Sequence, residues 1–222
     1  MPNTCKKIFE VLLSHFGPQH WWPAETPFEV MVGAILTQNT NWSNVERAIS
    51  NLRQARMLTP RAIDRASRAE LASLIRPAGY YNIKAGRLKN LVRWLCAEFA
   101  GRPERMRNMD TAVLRERLLS VKGVGPETAD SILLYATGKT VFVVDSYTYR
   151  VFTRHGLIPA ESAYEDVQAY FESNLPDDAA LFGEYHALIV KTAKEFCRKD
   201  PRCEGCPLLQ FGAPALNGLL FS

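Results

Sequence analysis

The chain has 222 residues, of which 47% are apolar, so it is long enough to bury a substantial core. Its net charge of +4 and isoelectric point of about 8.8 exclude a histone-like polycation and suit contact with a few phosphates. No apolar stretch reaches the roughly 18 residues that a membrane span needs, and the N-terminus lacks a signal-peptide cleavage pattern, so we expect a soluble, intracellular protein.

Helical periodicity extends along the whole chain. Apolar residues recur at helical spacing, and no segment alternates with period 2, so we predict an all-α fold. The predicted helices span residues 4–16, 29–36, 43–53, 60–75, 83–99, 114–119, 127–137, 146–155, 164–174 and 179–196.

Tryptophans are concentrated near the N-terminus. Trp21 and Trp22 are adjacent and precede Pro23, and Trp42 follows twenty residues later. Indoles usually anchor a core, but two neighbours cannot easily both enter one helix core. This pattern favours an aromatic binding pocket formed by these four residues over burial in a core.

The segment 121–125 is a glycine-rich turn of sequence VKGVG, directly before Pro126. Proline suits the first position of a helix, and glycine suits turns or a close approach to another surface. Such a turn is either a structural cap or a site where backbone N–H groups bind a phosphate. A nucleic-acid backbone is the expected ligand.

A buried apolar run, 140–144, leads into Asp145. An acidic residue at this point is either the N-cap of the helix that follows or a working carboxylate, and it can be both.

The segment 118–151 resembles the helix-hairpin-helix and Gly/Pro-Asp signature of the endonuclease III-like DNA glycosylase superfamily. Within it, the segment 21–42 is similar to the 3-methyladenine DNA glycosylase III branch in Trp21, Trp22, Pro23, Phe28 and the sequence LTQNT. The resemblance covers residues 5–207. It implies one glycosylase unit over 1–222 with two helical lobes and a central cleft, in which the two terminal segments form one lobe and roughly 28–138 the other.

The resemblance also implies roles for individual residues. Asp145 is then the catalytic aspartate, and Trp42 lies where the branch has a pocket aromatic. Gln38 matches a wedge position that fills the gap left by a flipped nucleotide. Tyr80 matches a second wedge position that faces the opposite strand. The expected DNA-binding residues are Gln38, Tyr80, Lys122, Gly123, Val124, Gly125 and Thr128. A basic helix face, formed by Lys84, Arg87, Lys89 and Arg93, is either solvated or contacts phosphates.

Glu127 stands where superfamily members that also cut the strand carry a Schiff-base lysine. Glutamate cannot form an imine. We therefore expect a monofunctional glycosylase that uses water and leaves an abasic site.

The cysteine pattern departs from that of the relatives. Cys197, Cys203 and Cys206 resemble the family's iron–sulfur loop, but no fourth cysteine follows. Three possibilities follow. The loop is degenerate and holds no cluster, it holds a [4Fe–4S] cluster with a non-cysteine fourth ligand, or it binds zinc through three thiolates. We favour no intact cluster and expect no cofactor to be required for catalysis.

The predicted function is hydrolysis of an alkylated, 3-methyladenine-like purine from DNA. The alternatives are a glycosylase for damaged, deaminated or mismatched pyrimidines and a non-catalytic hairpin protein that only binds DNA. Asp145 weighs against the last, since a carboxylate beside a phosphate-binding turn repels the ligand. The expected partner is damaged double-stranded DNA, bound by a monomer that is cytoplasmic, associated with the nucleoid and without membrane contact.

Overall fold

The computed structural model describes residues 3–212, which fold into helices joined by turns and loops. No β-strand occurs within those residues, so the predicted all-α fold is confirmed. The predicted unit over 1–222 includes residues 1–2 and 213–222, which lie outside the described part. No described helix is both long enough and apolar enough to span a bilayer.

The α-helices are numbered α1 to α11 in chain order. They are α1 Thr4–Phe16, α2 Pro27–Leu36, α3 Trp42–Gln54, α4 Pro60–Arg65, α5 Arg68–Leu74, α6 Tyr81–Phe99, α7 Thr111–Leu119, α8 Pro126–Ser131, α9 Ser146–Arg154, α10 Tyr164–Asn174 and α11 Ala179–Glu195. Short 3₁₀ segments occupy Arg76–Ala78, Pro103–Asn108 and Pro207–Phe211, and a π-helical turn covers Ile132–Ala136.

Two predicted helices are interrupted. The helix predicted over 60–75 is two helices, because Ala66 is extended and Ser67 caps α5 by accepting a hydrogen bond from the Glu70 N–H. The helix predicted over 127–137 changes from α8 to the π-helical turn after Ser131. Helical periodicity alone does not detect either change, since both segments keep a helical apolar pattern.

The chain divides into two compact units. The central unit is Trp22–Lys139, and the terminal unit joins Met1–Trp21 to Thr140–Ser222. In the central unit α2 is buried over nearly its whole surface, so it forms the core around which α3, α6 and α8 pack.

Two lysines of the predicted basic face are buried. Lys84 is 1% exposed and Lys89 is 7% exposed, and both ammonium groups donate to backbone carbonyls. For these two side chains both expectations for the basic face, solvation and phosphate contact, are wrong. A buried ammonium has to be paired or hydrogen-bonded, and here it satisfies carbonyls at the ends of helical segments.

The terminal unit has an aromatic core. The Phe142 and Phe171 rings stack with centroids 3.9 Å apart, and Phe152 and Tyr185 pack edge-on around them. The Tyr185 hydroxyl donates to the Cys5 carbonyl over 2.9 Å, which attaches α1 to α11. The N-terminal helix therefore belongs to the same core as the last long helices.

Candidate functional site

A buried extended run precedes Asp145 in the terminal unit. Residues Val141–Val144 are at most 5% exposed, and side chains of α10 satisfy the backbone groups that a neighbouring strand would otherwise bind. Gln168 donates to the Phe142 carbonyl over 2.7 Å, and Glu172 accepts from the Phe142 N–H over 2.9 Å. The run thus holds the backbone at Asp145 firmly against the core.

The two oxygens of Asp145 have different partners. Oδ1 accepts from the Thr148 N–H over 2.7 Å and from the Thr148 hydroxyl over 2.9 Å, so it caps α9. Oδ2 lies 3.5 Å from Nε2 of His186 on α11. The Asp145 side chain is 11% exposed and that of His186 is 8% exposed. The capping oxygen is therefore fully used, and Oδ2 carries the remaining acceptor capacity.

These contacts favour the charged carboxylate. Burial alone would raise the pKa of Asp145, but the imidazole of His186, 3.5 Å away, and the two Thr148 donors hold that pKa below its usual value. A largely buried, ionised carboxylate can stabilise positive charge or accept a proton from water.

Sequence reasoning did not identify His186. It lies in the apolar face of α11, between Tyr185 and Ala187. A buried histidine requires a polar partner, which is the signal that could have drawn attention to it.

The aromatic cluster of the central unit contains Trp22, Trp42 and Tyr135. The ring centroids of Trp22 lie 5.2 Å from those of Trp42 and of Tyr135, and the two indoles are nearly perpendicular. Trp22 rests on Gly33 of α2, where a Cβ would approach within 3.0 Å of the indole Cζ2. Glycine inside this helix is thus explained by the indole that covers it.

The other two predicted pocket residues differ in their surroundings. Trp21 is half-buried and belongs to the terminal unit. Pro23 is exposed and, together with Trp42, borders a cavity of about 470 Å³. The charged residues of this cavity are Glu25, Glu29, Glu46 and Arg53. Arg53 pairs with Glu29 at 2.9 Å, and Trp42 Nε1 donates to Glu46 over 2.8 Å.

Tyr135 is the member of the aromatic cluster that sequence reasoning missed. It lies in the π-helical turn Ile132–Ala136, where an α-helical pattern assigns side chains to the wrong faces. Such turns occur frequently at functional sites, but the sequence alone gives no sign of this one.

The hairpin turn uses its glycines for two different reasons. Gly123 has a φ of 101°, and a Cβ there would overlap the Arg87 side chain. Gly125 is extended and has open space where a Cβ would be, so its backbone is accessible to a ligand. Lys122 is exposed, whereas Val124 is buried.

Gln38 braces this turn. Its Nε2 donates to the Gly123 carbonyl over 3.1 Å and to the Thr128 hydroxyl over 2.9 Å, and its Oε1 accepts from Arg87. The structure thereby brings together three predicted DNA-binding residues, Gln38, Gly123 and Thr128. The Thr128 side chain is buried in this arrangement, so its hydroxyl faces the protein.

The two helices of the hairpin are joined by a buried ion pair. Arg115 of α7 contacts Asp130 of α8 through two hydrogen bonds of 2.7 and 3.0 Å, and Asp130 is fully buried. Glu127 is exposed in the first turn of α8, where its negative charge interacts favourably with the positive end of the helix dipole.

Tyr80 is 67% exposed and has left-handed backbone geometry, with a φ of 43°. Non-glycine residues at positive φ are strained and concentrate at functional positions. Near the hairpin, a groove of about 540 Å³ is lined by cationic side chains. These are Arg68, Arg87, Lys89, Arg93 and Lys122, of which Lys89 is 7% exposed.

The three C-terminal cysteines converge on one small depression, which His155 also lines. Arg154 donates to the Cys197 sulfur over 3.3 Å. Within residues 3–212, no group of three or more histidine, cysteine, aspartate or glutamate side chains is arranged to hold a metal ion. The loop supplies three thiolates, one fewer than a four-thiolate cluster needs.

Several known proteins are similar to this chain in sequence or in fold. The family model described as HhH-GPD superfamily base excision DNA repair protein matches residues 32–177. A Methanocaldococcus jannaschii protein, named as a candidate DNA repair glycosylase, is 50% identical over 92% of this chain and 94% of its own. Endonuclease III of Thermotoga maritima is 30% identical over 81% of this chain and 79% of its own.

A solved structure of Helicobacter pylori 3-methyladenine DNA glycosylase, bound to 1,N6-ethenoadenine, superposes with a TM-score of 0.75. It is 32% identical, and the match covers 86% of this chain and 97% of that one.

Proposed function

The chain belongs to the HhH-GPD superfamily of base excision DNA repair proteins, and on that premise we propose that it is a monofunctional DNA glycosylase for alkylated purines. It flips the damaged nucleotide out of duplex DNA, hydrolyses the N-glycosidic bond and leaves an abasic site. The observation that carries this proposal is the buried carboxylate of Asp145, whose ionised form His186 and Thr148 favour.

Asp145 supplies the negative charge that the reaction needs. As the bond from C1′ to the base breaks, its electron pair leaves with the base and positive charge develops on the sugar. The Asp145 carboxylate stabilises that charge, and water then adds its oxygen to C1′ and transfers a proton to the carboxylate. A cationic alkylated purine accepts the electron pair and leaves as a neutral molecule, so one carboxylate is sufficient.

The aromatic cluster supports a cationic substrate. An aromatic face attracts a cation by about 0.5–2 kcal/mol, and the cluster brings together the rings of Trp22, Trp42 and Tyr135. The cavity beside Trp42 adds three carboxylates and one guanidinium, which favours positive charge further. A methylated purine carries this charge, whereas an ordinary base does not.

Glu127 supports the monofunctional mechanism. A strand-cutting relative needs an amine that attacks C1′, and the side chain at this position is an exposed carboxylate. Hydrolysis by water is therefore the expected route.

The hairpin and the two wedge positions support DNA binding by the central unit. Open space at Gly125 and the exposed ammonium of Lys122 suit a phosphate, and the exposed Tyr80 suits insertion between bases. Unstacking a base requires a few kcal/mol, which inserted side chains repay.

The second candidate is a glycosylase for damaged, deaminated or mismatched pyrimidines, which the similarity to Thermotoga maritima endonuclease III favours. A single experiment separates the two. Purified protein is incubated with methylated duplex DNA and with duplexes containing uracil, a thymine mismatch or an oxidised pyrimidine, and free bases are resolved by chromatography.

Release of 3-methyladenine or 7-methylguanine without strand cleavage, and without a borohydride-trapped adduct, is the expected result. Release of a pyrimidine only would overturn the alkylpurine proposal in favour of the second candidate. DNA binding with no base released from any duplex would indicate a hairpin protein that only binds.

A further inference from the structure

Lys84 connects two turns that are distant in sequence. The residue is 1% exposed within α6, and its ammonium donates to the Leu36 carbonyl over 2.8 Å and to the Ala78 carbonyl over 2.7 Å. Leu36 is the last residue of α2, and Ala78 ends the 3₁₀ turn before α6. One buried charge thus satisfies the C-terminal carbonyls of two separate segments.

Each of these carbonyls lies two residues before a wedge position. Gln38 follows Leu36 through Thr37, and Tyr80 follows Ala78 through Gly79. Gly79 and Tyr80 both have positive φ, so this turn depends on surrounding contacts to keep its shape. Arg87, one turn beyond Lys84 on α6, donates to the Gln38 side chain and extends the same support.

The Lys84 amine can link the two carbonyls in either of its protonation states. Burial lowers the pKa of Lys84 to about 8, and the charge of Arg87 lowers it in the same direction. Both charged and neutral amines retain enough N–H groups to bind two carbonyls.

We propose that Lys84 is a positioning residue that fixes the two turns relative to each other, so that Gln38 and Tyr80 enter the duplex together. This inference rests on the proposed function, because it takes both side chains as wedges. Lys84 itself contacts neither the base nor the reacting sugar. Its effect is on unstacking of the duplex and not on cleavage of the bond.

Lys89 offers a matched control on the same helix. It is also buried, but its ammonium donates to the carbonyls of Ile63, Asp64 and Ala66, at the end of α4. Removing this lysine deprives backbone carbonyls of a donor just as at Lys84, yet neither wedge turn is involved.

The test compares Lys84→Met, Lys84→Arg and Lys89→Met in the full-length protein. The first measurement is the fluorescence of 2-aminopurine placed beside a tetrahydrofuran abasic analogue in duplex DNA, which reports unstacking without any chemistry. The second is single-turnover release of 3-methyladenine from duplex DNA and from single-stranded DNA, where no stack has to be opened.

For Lys84→Met we expect a reduced fluorescence change and about a 10- to 100-fold slower release from the duplex, with release from single strands unchanged. Lys84→Arg, which keeps the donors and the charge, should recover part of both signals. Lys89→Met should match the wild type per folded molecule. If Lys84→Met does not fold, partial loss in Lys84→Arg that is confined to duplex DNA still supports the inference.

The inference would be overturned if Lys84→Met unstacked the duplex and released the base from it as the wild type does. It would also be overturned if base release slowed equally on duplex and single-stranded DNA. If the wild type releases no alkylpurine but still unstacks the probe, the proposed function fails and the fluorescence alone decides the role of Lys84. No unstacking by the wild type would overturn both.

Discussion

Nε2 of His186 lies 3.5 Å from Oδ2 of Asp145, on the carboxylate oxygen that Thr148 leaves uncovered. The pair joins the N-terminus of α9 to α11 within the terminal unit. Because Thr148 occupies Oδ1, that oxygen caps α9, a task that depends on the shape of the side chain. The negative charge of the carboxylate is available for chemistry.

Replacing Asp145 with asparagine tests the charge alone. The amide oxygen of asparagine can still accept from Thr148, and asparagine is as good an N-cap as aspartate, so the fold should persist. We expect base release to fall by at least about 100-fold, since a preorganised charge that stabilises the transition state is removed. Affinity for lesion-containing duplex, measured by fluorescence anisotropy, should change little. Normal turnover would show that another group supplies the charge.

Replacing His186 with alanine tests how the charge is maintained. His186 lowers the pKa of Asp145, so its removal should raise that pKa. Activity requires the ionised carboxylate and is lost as pH falls through its pKa, so the acid limb of the profile of kcat/KM against pH should move to higher pH. His186→Gln, which keeps a donor, should shift it less. An unmoved acid limb with a lower plateau would mean that His186 acts only through packing.

The sequence predicts the local features of this protein well. The helical pattern and the glycine turn are set by neighbouring residues, so the all-α fold and the hairpin are visible in the chain itself. The N-cap at Asp145 is likewise local, since Thr148 is three residues away.

Contacts between distant residues were not predictable. His186 meets Asp145, Gln38 meets Thr128 across 90 residues, and Lys84 reaches back to Leu36 across 48. No periodicity links such positions, because tertiary packing alone brings them together. Tyr135 was missed for a different reason, namely that the π-helical turn changes the helical register.

Gly33→Ala tests the proposed role of Trp22 in the substrate pocket. A Cβ at this position would lie 3.0 Å from Cζ2 of Trp22, so the ring has to move by a few tenths of an ångström. Alanine gains about 0.8–1 kcal/mol of helix propensity, which offsets the crowding and should leave stability nearly unchanged. Base release should nevertheless slow by roughly 10-fold, since the indole is displaced.

The control for the stability effect of Gly33→Ala is Gly86→Ala in α6. The new Cβ there meets only the terminal guanidinium of Arg68, which is free to move away. Thermal denaturation should therefore show a gain in stability for this variant. Unchanged base release in Gly33→Ala would contradict the assignment of Trp22 to the substrate pocket.

Asp130→Asn tests the ion pair that holds the hairpin. Asp130 is fully buried against Arg115, and removing its charge leaves the guanidinium without its counterion in a poorly solvated site. We expect the free energy of unfolding to fall by about 3–5 kcal/mol, the range for breaking a buried pair. The comparison is Glu98→Gln, which breaks the partly exposed pair between Glu98 and Arg117 and should lower it by less than about 1 kcal/mol. Urea denaturation followed by circular dichroism measures both. Equal, small losses would mean that the charge of Asp130 contributes little to the stability of the hairpin, which would then depend on helix packing.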